Sequence, residues 1–168
     1  MSNAAQTVLS LAGSNGVLNP GPGHTFTVTG TSAKTFSRTI SGPGSMIKSN
    51  TANFTLSGPN TLDGNMTIVA GKILPRSDTA FGSTTGYTEV AAGAEVLFDL
   101  TTNTCAEPFR LAGGGANDGG AITVQNTALV TLSGPITLTA NVTNTVSSSS
   151  TVFYTNPNAI TALASQSL

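Results

Sequence analysis

The side chains with the greatest potential for chemistry are seven carboxylates, one histidine and one cysteine in a chain of 168 residues. Enzymes that cleave glycosidic bonds place two carboxylates about 5 to 9.5 Å apart. Only Glu95 and Asp99 lie close together within one predicted strand. Their Cα atoms would be ~13 Å apart on one face of that strand, which is too far without help from a neighbouring strand. The other carboxylates are isolated: Asp63, Asp78, Glu89, Glu107 and Asp118.

Neither His24 nor Cys105 has partners that would make it reactive. A zinc site needs several ligands, and the chain has one His and one Cys. No serine sits in a Gly-x-Ser-x-Gly elbow, so a Ser-His-Asp arrangement is not supported. We expect Cys105 to be a small buried hydrophobe. The sequence therefore predicts no catalytic residue, no cofactor site, no metal site and no enzyme activity.

The glycine-rich run from Gly113 to Gly120 contains Asp118 and is similar to one copy of the Gly-Gly-x-Gly-x-Asp calcium nonapeptide. Calcium binding by that motif needs stacked copies, whereas this run occurs once and has Ala116 at its fourth position. It also lacks the Gly-Lys-Ser/Thr ending of a phosphate loop. We expect a tight turn at this run, within a segment from 101 to 120 that is either a long corner or a bulging loop.

The elements that must position these groups are short β-strands. Between Phe54 and Leu100 apolar residues recur at every second position in short bursts, as in Phe54 and Leu56 or Val96 and Phe98. Alternation with period two is typical of a strand that buries one face. Glycines end the bursts, because glycine turns the backbone at little steric cost.

Within this stretch Leu56-Ser-Gly-Pro-Asn-Thr-Leu-Asp-Gly-Asn-Met-Thr-Ile-Val-Ala-Gly-Lys-Ile73 is followed by Ala80-Phe-Gly82 and Val90-Ala-Ala-Gly-Ala-Glu-Val96. This spacing resembles the autotransporter-associated β-strand repeat. It departs from that pattern at Pro59, Leu62 and Asn65. The resemblance implies coils of a right-handed parallel β-helix on a bacterial surface protein, with a structural, secretion-assisting or adhesive role and no catalytic residues.

Composition and charge narrow the range of possible functions further. Charged residues make up 8% of the chain and the net charge is −1, so there is no basic stripe for nucleic acid. The chain contains no run of eighteen apolar residues, so we do not expect it to insert into a membrane. The amino terminus lacks a basic region followed by an apolar core, which favours a complete chain made in the cytosol over an excised fragment.

Repetition supports stacked turns. The tetrapeptide x-Ser-Gly-Pro occurs at Ile40, Leu56 and Leu132, and the longer interval is close to four steps of about nineteen residues, near the lower limit for solenoids. We predict an N-terminal arm over 1–24, a β-solenoid of about seven or eight turns over 25–155, and a C-terminal tail or short helix over 156–168. The alternative fold is an antiparallel β-sandwich of jelly-roll type.

These observations predict a non-enzymatic structural surface protein. Without an export signal, the first interpretation is a virion component, either a capsid decoration or a fibre protein, that self-associates, with a trimer favoured, and presents polar loops. Its partners would be other virion or cell-surface proteins and glycans. The alternatives are a segment of a secreted bacterial autotransporter adhesin on the cell surface, and a polysaccharide-degrading tailspike module.

Overall fold

The computed structural model describes residues 5–13, 15–100, 102–157 and 160–162. Within them the chain forms short β-strands arranged on three faces. The first face is one sheet of eight strands: β1 (Ala5–Val8), β3 (Thr25–Val28), β6 (Ser45–Lys48), β9 (Met66–Ile68), β11 (Thr88–Val90), β14 (Phe109–Gly113), β17 (Ile136–Val142) and β20 (Ile160–Ala162).

The second face is a six-stranded sheet, and the third face consists of two separate three-stranded sheets. The second face contains β4 (Lys34–Phe36), β7 (Phe54–Leu56), β10 (Gly71–Pro75), β12 (Ala94–Phe98), β15 (Ile122–Val124) and β18 (Thr145–Val146). The third face contains β2 (Val17–Leu18), β5 (Thr39–Gly42) and β8 (Thr61–Leu62), and then β13 (Thr102–Cys105), β16 (Leu129–Leu132) and β19 (Thr151–Tyr154).

All of the strand pairs are parallel, and the chain visits the three faces in turn about seven times. This is a right-handed parallel β-helix, so the predicted fold is confirmed. A jelly-roll sandwich would pair its strands antiparallel. Seven steps between neighbouring strands of the first face give a stack on the order of 34 Å tall.

Alternation decides which side chains enter the core. On the first face Phe26 is paired with Met46 and Met46 with Met66, and each side chain points into the stack. The intervening Thr25 and Thr27 are only partly buried. Because most turns place the same kind of residue over its predecessor, the core consists of apolar columns, which Lys48 and Thr88 interrupt.

The x-Ser-Gly-Pro tetrapeptide does not mark one position in each turn. Paired residues are 20 positions apart at Thr25 and Ser45 and 27 apart at Phe109 and Ile136. Two copies of the tetrapeptide, at Ile40 and Leu56, therefore fall on the third and second faces. A turn of about twenty residues, on which the predicted number of turns rested, holds in the first half of the chain, whereas turns in the second half are longer because they carry longer corners.

The tetrapeptide recurs because its glycine packs against the preceding turn. A Cβ atom added to Gly58 would lie 1.9 Å from the carbonyl oxygen of Arg38, and one added to Gly134 would lie 2.1 Å from that of Glu107. No side chain fits at such distances. The copies at Gly58 and Gly134 thus mark places where successive turns approach backbone to backbone, whereas the nearest atom at Gly42 belongs to the side chain of Asn19.

The ends of the chain differ from expectation. Within the predicted N-terminal arm, β1 pairs with β3 and β2 pairs with β5, so stacking begins before residue 25. For the C-terminal segment 156–168 we expected a tail or a short helix. Ile160–Ala162 instead form β20 beside β17, because an isolated short helix is marginal while a sheet edge offers backbone partners. Asn158, Ala159 and 163–168 lie outside the described residues.

Candidate functional site

The two carboxylates that the sequence placed in one strand are both engaged in ion pairs. Glu95, in β12, lies opposite Lys72 of β10, with Nζ and Oε2 2.9 Å apart. Asp99, just after β12, pairs with Arg76, whose Nη1 lies 2.8 Å from Oδ1. Each acid is therefore neutralised by a base from the preceding turn. This arrangement suits a structural role better than a glycosidase pair, which needs one protonated and one free carboxylate.

The glycine-rich run covers one of these ion pairs. Its residues Ala116–Asp118 form a single 3₁₀ turn, in which Asn117 has a φ of 53°. The carboxylate of Glu95 is fully buried beneath it, and a Cβ atom on Gly119 would lie 2.6 Å from Oε2. The run is thus a tight turn, as predicted, and its lack of side chains lets it close over the carboxylate.

Cys105 and His24 occupy unremarkable positions. Cys105 points into the core from β13, as predicted, and burial raises the pKa of its thiol to about 12. Nδ1 of His24 lies 2.9 Å from the carbonyl oxygen of Pro22, next to a cavity of about 230 Å³ near the first turns. In the part of the chain that the structure describes, no three His, Cys, Asp or Glu residues are grouped as a metal site.

Lys48 is a buried cation that our sequence analysis did not single out. Its ammonium group donates to the carbonyl oxygens of Asn50, at 2.7 Å, and Ala70, at 2.6 Å. The side chain is fully buried, and desolvation lowers the pKa from 10.5 to about 8. The group therefore fastens two successive corners at an electrostatic cost. Its spacing of two from Met46 was the signal that it points inward.

Asn60 holds three turns together in a similar way. Its Oδ1 accepts a hydrogen bond from the backbone N–H of Ile40 in the preceding turn, at 2.8 Å. Its Nδ2 donates to the carbonyl oxygen of Ala80 in the following turn. The side chain is buried, so both backbone groups depend on it for a partner.

The third face is interrupted for one turn, and this interruption forms a cavity. Between β8 and β13 the residues 77–86 make a turn instead of a strand, and Ala80 and Phe81 fill the core there. A cavity of about 290 Å³ opens beside that turn. We call it the notch. Its lining residues are Asp78, Thr79, Phe81, Gly82, Ser83, Thr84, Ala106 and Glu107.

Glu107 is the buried acid of the notch. The residue is 6% exposed, and Thr88 donates a hydrogen bond from Oγ1 to Oε1 at 2.8 Å. Burial raises the pKa of this carboxyl to about 7, against the smaller opposing effect of the Thr88 hydrogen bond. Phe81 and Phe109 pack edge to face nearby, with ring centroids 5.3 Å apart. The carboxyl group therefore changes protonation near neutral pH.

Other acids around the notch are held by hydrogen bonds. Oδ1 of Asp78 accepts from the backbone N–H of Thr104 at 2.8 Å. Ser83 donates from its hydroxyl to Oδ1 of Asp63 at 2.7 Å. Along the sequence these acids are isolated from one another. The interruption of the third face brings Asp78, Ser83 and Glu107 to one cavity.

The outer surface of the first face presents mainly hydroxyl groups. One register column there contains five threonines in its eight positions: Thr7, Thr27, Ile47, Thr67, Glu89, Arg110, Thr137 and Thr161. We call this the threonine column. Within the column the Arg110 guanidinium lies 3.8 Å from the centroid of the Tyr87 ring. That ring is thereby covered on one side.

No family model matches the chain, and no curated protein or solved structure matches it either. The fold defines its class as a parallel β-solenoid, and the resemblance to the autotransporter-associated repeat stays a prediction. Among the described residues, no helix is long and apolar enough to cross a membrane.

Proposed function

We propose that this protein is a non-enzymatic structural component of a biological surface, with a virion decoration or fibre protein as the first candidate. The observation that carries the proposal is the unbroken parallel stack, in which eight strands of one face pair in succession. Backbone hydrogen bonds along such a stack resist bending and local unfolding. A small, rigid body of this kind is suited to projecting loops from a particle.

The pairing of acidic with basic side chains supports a structural role. Two acids, one in β12 and one directly after it, are paired with bases from the neighbouring turn. Glu95 pairs with Lys72, and Asp99 pairs with Arg76. Catalytic carboxylates are instead held apart with opposed protonation states. A polysaccharide-degrading module is therefore the less favoured class.

Self-association would use the threonine column. Its positions repeat once for each turn, about 4.8 Å apart. Five of the eight carry a hydroxyl group and six carry no charge. A surface of this kind can pack against a second copy without burying many charges. Closed association around an axis gives the trimer that we favour.

An adhesin passenger on a bacterial surface is the second candidate, since the repeat spacing from Leu56 to Val96 favours it. Antibodies against the purified chain distinguish the two. Immunogold labelling of density-purified virions supports the virion proposal, and labelling of intact bacterial cells supports the adhesin. Recovery of the chain only from the cytosolic fraction, with no assembled particle, would contradict both.

The oligomer is tested separately by sedimentation velocity. Thr67→Lys places a charge in the middle of the threonine column and should convert the trimer to monomer. Thr55→Lys, on the outer side of the second face, is the matched control and should leave the trimer intact. A wild-type protein that is monomeric at high concentration would contradict self-association.

A further inference from the structure

The notch combines a built shape with a specific set of polar groups. It lies where one turn of the third face lacks a strand, so its floor is formed by the core residue Phe81 and its rim by residues of two neighbouring turns. Asp78 and Glu107 supply carboxyl oxygens, and Ser83 and Thr84 add hydroxyl groups. No lysine, arginine or histidine is among its lining residues.

Glu107 presents a carboxyl group to the notch. Its Oε1 accepts a hydrogen bond from Thr88, and its Oε2 is not among the fully buried side-chain atoms that lack a partner. Thr88 thus holds the carboxyl group in place as a hydrogen-bond acceptor on the wall of the cavity. Since this carboxyl lines a cavity, a ligand that offers hydrogen-bond donors is the partner that fits.

The charges in the notch select the class of donor. Two acids with no base beside them disfavour phosphate, sulfate and carboxylate ligands. Sugar hydroxyl groups, in contrast, both donate to carboxylates and accept from serine or threonine hydroxyls. An apolar floor next to a few polar groups is the usual construction of a small-molecule site.

We propose that the notch binds a neutral saccharide unit, whose hydroxyl groups donate to the carboxyl oxygens of Asp78 and Glu107. The ring would lie against Phe81 and Ala106. This binding site goes beyond the structural role proposed above and does not depend on where the protein is displayed.

The test is a titration followed by amide chemical shifts in two-dimensional ¹H–¹⁵N spectra. The probes are glucose, galactose, mannose and N-acetylglucosamine, each added to about 50 mM, which saturates a site whose Kd is about 1 mM. At least one of them should shift the amides of residues 79–84 and of Ala106 and Glu107. Shifts confined to other parts of the solenoid would overturn the proposal, and so would the absence of any shift with all four probes.

Two variants test the geometry. Ala106→Trp adds a large side chain at an exposed position on the rim and should raise Kd at least tenfold. Ala33→Trp makes the same change at an exposed position on another corner and should leave Kd unchanged. If both variants bind like the wild type, the notch is not the site.

Glu107→Gln tests the carboxyl group itself. Glutamine keeps the volume and the acceptor for Thr88, so the fold should be preserved and can be checked from the spectrum. At pH 8, where the carboxyl group is mostly ionised, loss of the charged acceptor should weaken binding about tenfold. Unchanged affinity in this variant would contradict the assigned contact.

Discussion

Lys72 and Glu95 lie directly opposite each other in neighbouring turns of the second face, and Nζ of the lysine is 2.9 Å from Oε2 of the glutamate. Four residues further along both strands, Arg76 and Asp99 repeat the arrangement at 2.8 Å. The two ion pairs differ in burial, because the Glu95 side chain is fully buried whereas that of Asp99 is 14% exposed. The pairs should therefore contribute differently to stability.

Lys72→Met should destabilise the protein by about 3 to 5 kcal/mol, since it leaves the buried Glu95 carboxylate without a counter-charge. Arg76→Met, at the more exposed pair, should cost about 1 kcal/mol. Urea unfolding at neutral pH measures both. The double variant Lys72→Met with Glu95→Met should recover much of the loss, because an apolar pair of similar volume needs no charge compensation. Equal losses in the two single variants would contradict the assigned burial.

Lys48 should make stability increase with pH above neutrality. Its pKa in the folded protein is about 8, below the ordinary 10.5. Between these values the unfolded chain binds a proton that the folded chain has lost, so the free energy of unfolding rises with pH. The full gain is about 3 kcal/mol. Below pH 8 both states are protonated and this contribution is flat.

Urea unfolding of the wild type and of Lys48→Met at several pH values from 7 to about 10.5 checks this behaviour. The difference between the two proteins isolates the lysine from other groups that titrate at high pH, such as Tyr154. Parallel curves for the wild type and the variant would show that Lys48 titrates normally.

Glu107 should have the opposite pH dependence. Its pKa is raised from 4.5 to about 7, so the folded chain retains a proton that the unfolded chain releases. The stabilisation is complete below pH 4.5 and is lost as the pH rises to 7. Glu107→Gln should therefore equal the wild type near pH 4 and exceed it by up to about 3 kcal/mol at pH 8. Thermal unfolding at the two pH values measures this, and an unchanged difference would exclude the shift.

Asn60→Ala should cost about 2 kcal/mol or more, because it leaves the N–H of Ile40 and the carbonyl oxygen of Ala80 buried without partners. Asn53→Ala removes an exposed asparagine nearby and is the matched control, with a change within about 0.5 kcal/mol. Urea unfolding compares the two. A loss no larger than that of the control would show that water replaces the side chain.

Gly58→Ala and Gly93→Ala separate two reasons why a position requires glycine. A Cβ atom on Gly58 would meet the Arg38 carbonyl oxygen at 1.9 Å, whereas Gly93 has open space but a φ of +82°. We expect a loss of about 3 kcal/mol at Gly58 from overpacking and about 1 kcal/mol at Gly93 from backbone strain. The thermal midpoints of the two variants rank these effects, and the reverse order would contradict the backbone contact.

The sequence predicted the columns of the core better than the corners. Phe54 and Leu56 in β7, and Met66 and Ile68 in β9, each enclose one polar residue, and all four apolar side chains are buried. The sequence indicated a polar connection after Leu74, but not that it takes the place of one strand of the third face, because whether a strand or a turn fills one face depends on contacts with the turns above and below. Of the tetrapeptide glycines, Gly58 and Gly134 lie in corners, whereas Gly42 is the last residue of β5, and the spacing of the copies does not give the length of a turn.

The buried charges could have been found by following the same alternation through polar residues. Lys48 lies two positions after Met46, and Glu107 lies midway between Cys105 and Phe109, so both fall on the inward side. Their pairing could not be predicted. Thr88 meets Glu107 from the preceding turn, and such a contact depends on the register between turns, which varies along the chain.

The stacking of turns in register is the claim on which every prediction depends, and spin labels on the threonine column measure it most directly. Thr7, Thr67 and Thr161 are separated by three and then four steps of about 4.8 Å. The distances between labels should be about 14 Å for Thr7 to Thr67, about 19 Å for Thr67 to Thr161, and about 34 Å for Thr7 to Thr161. A longest distance well short of the sum of the other two would contradict the solenoid.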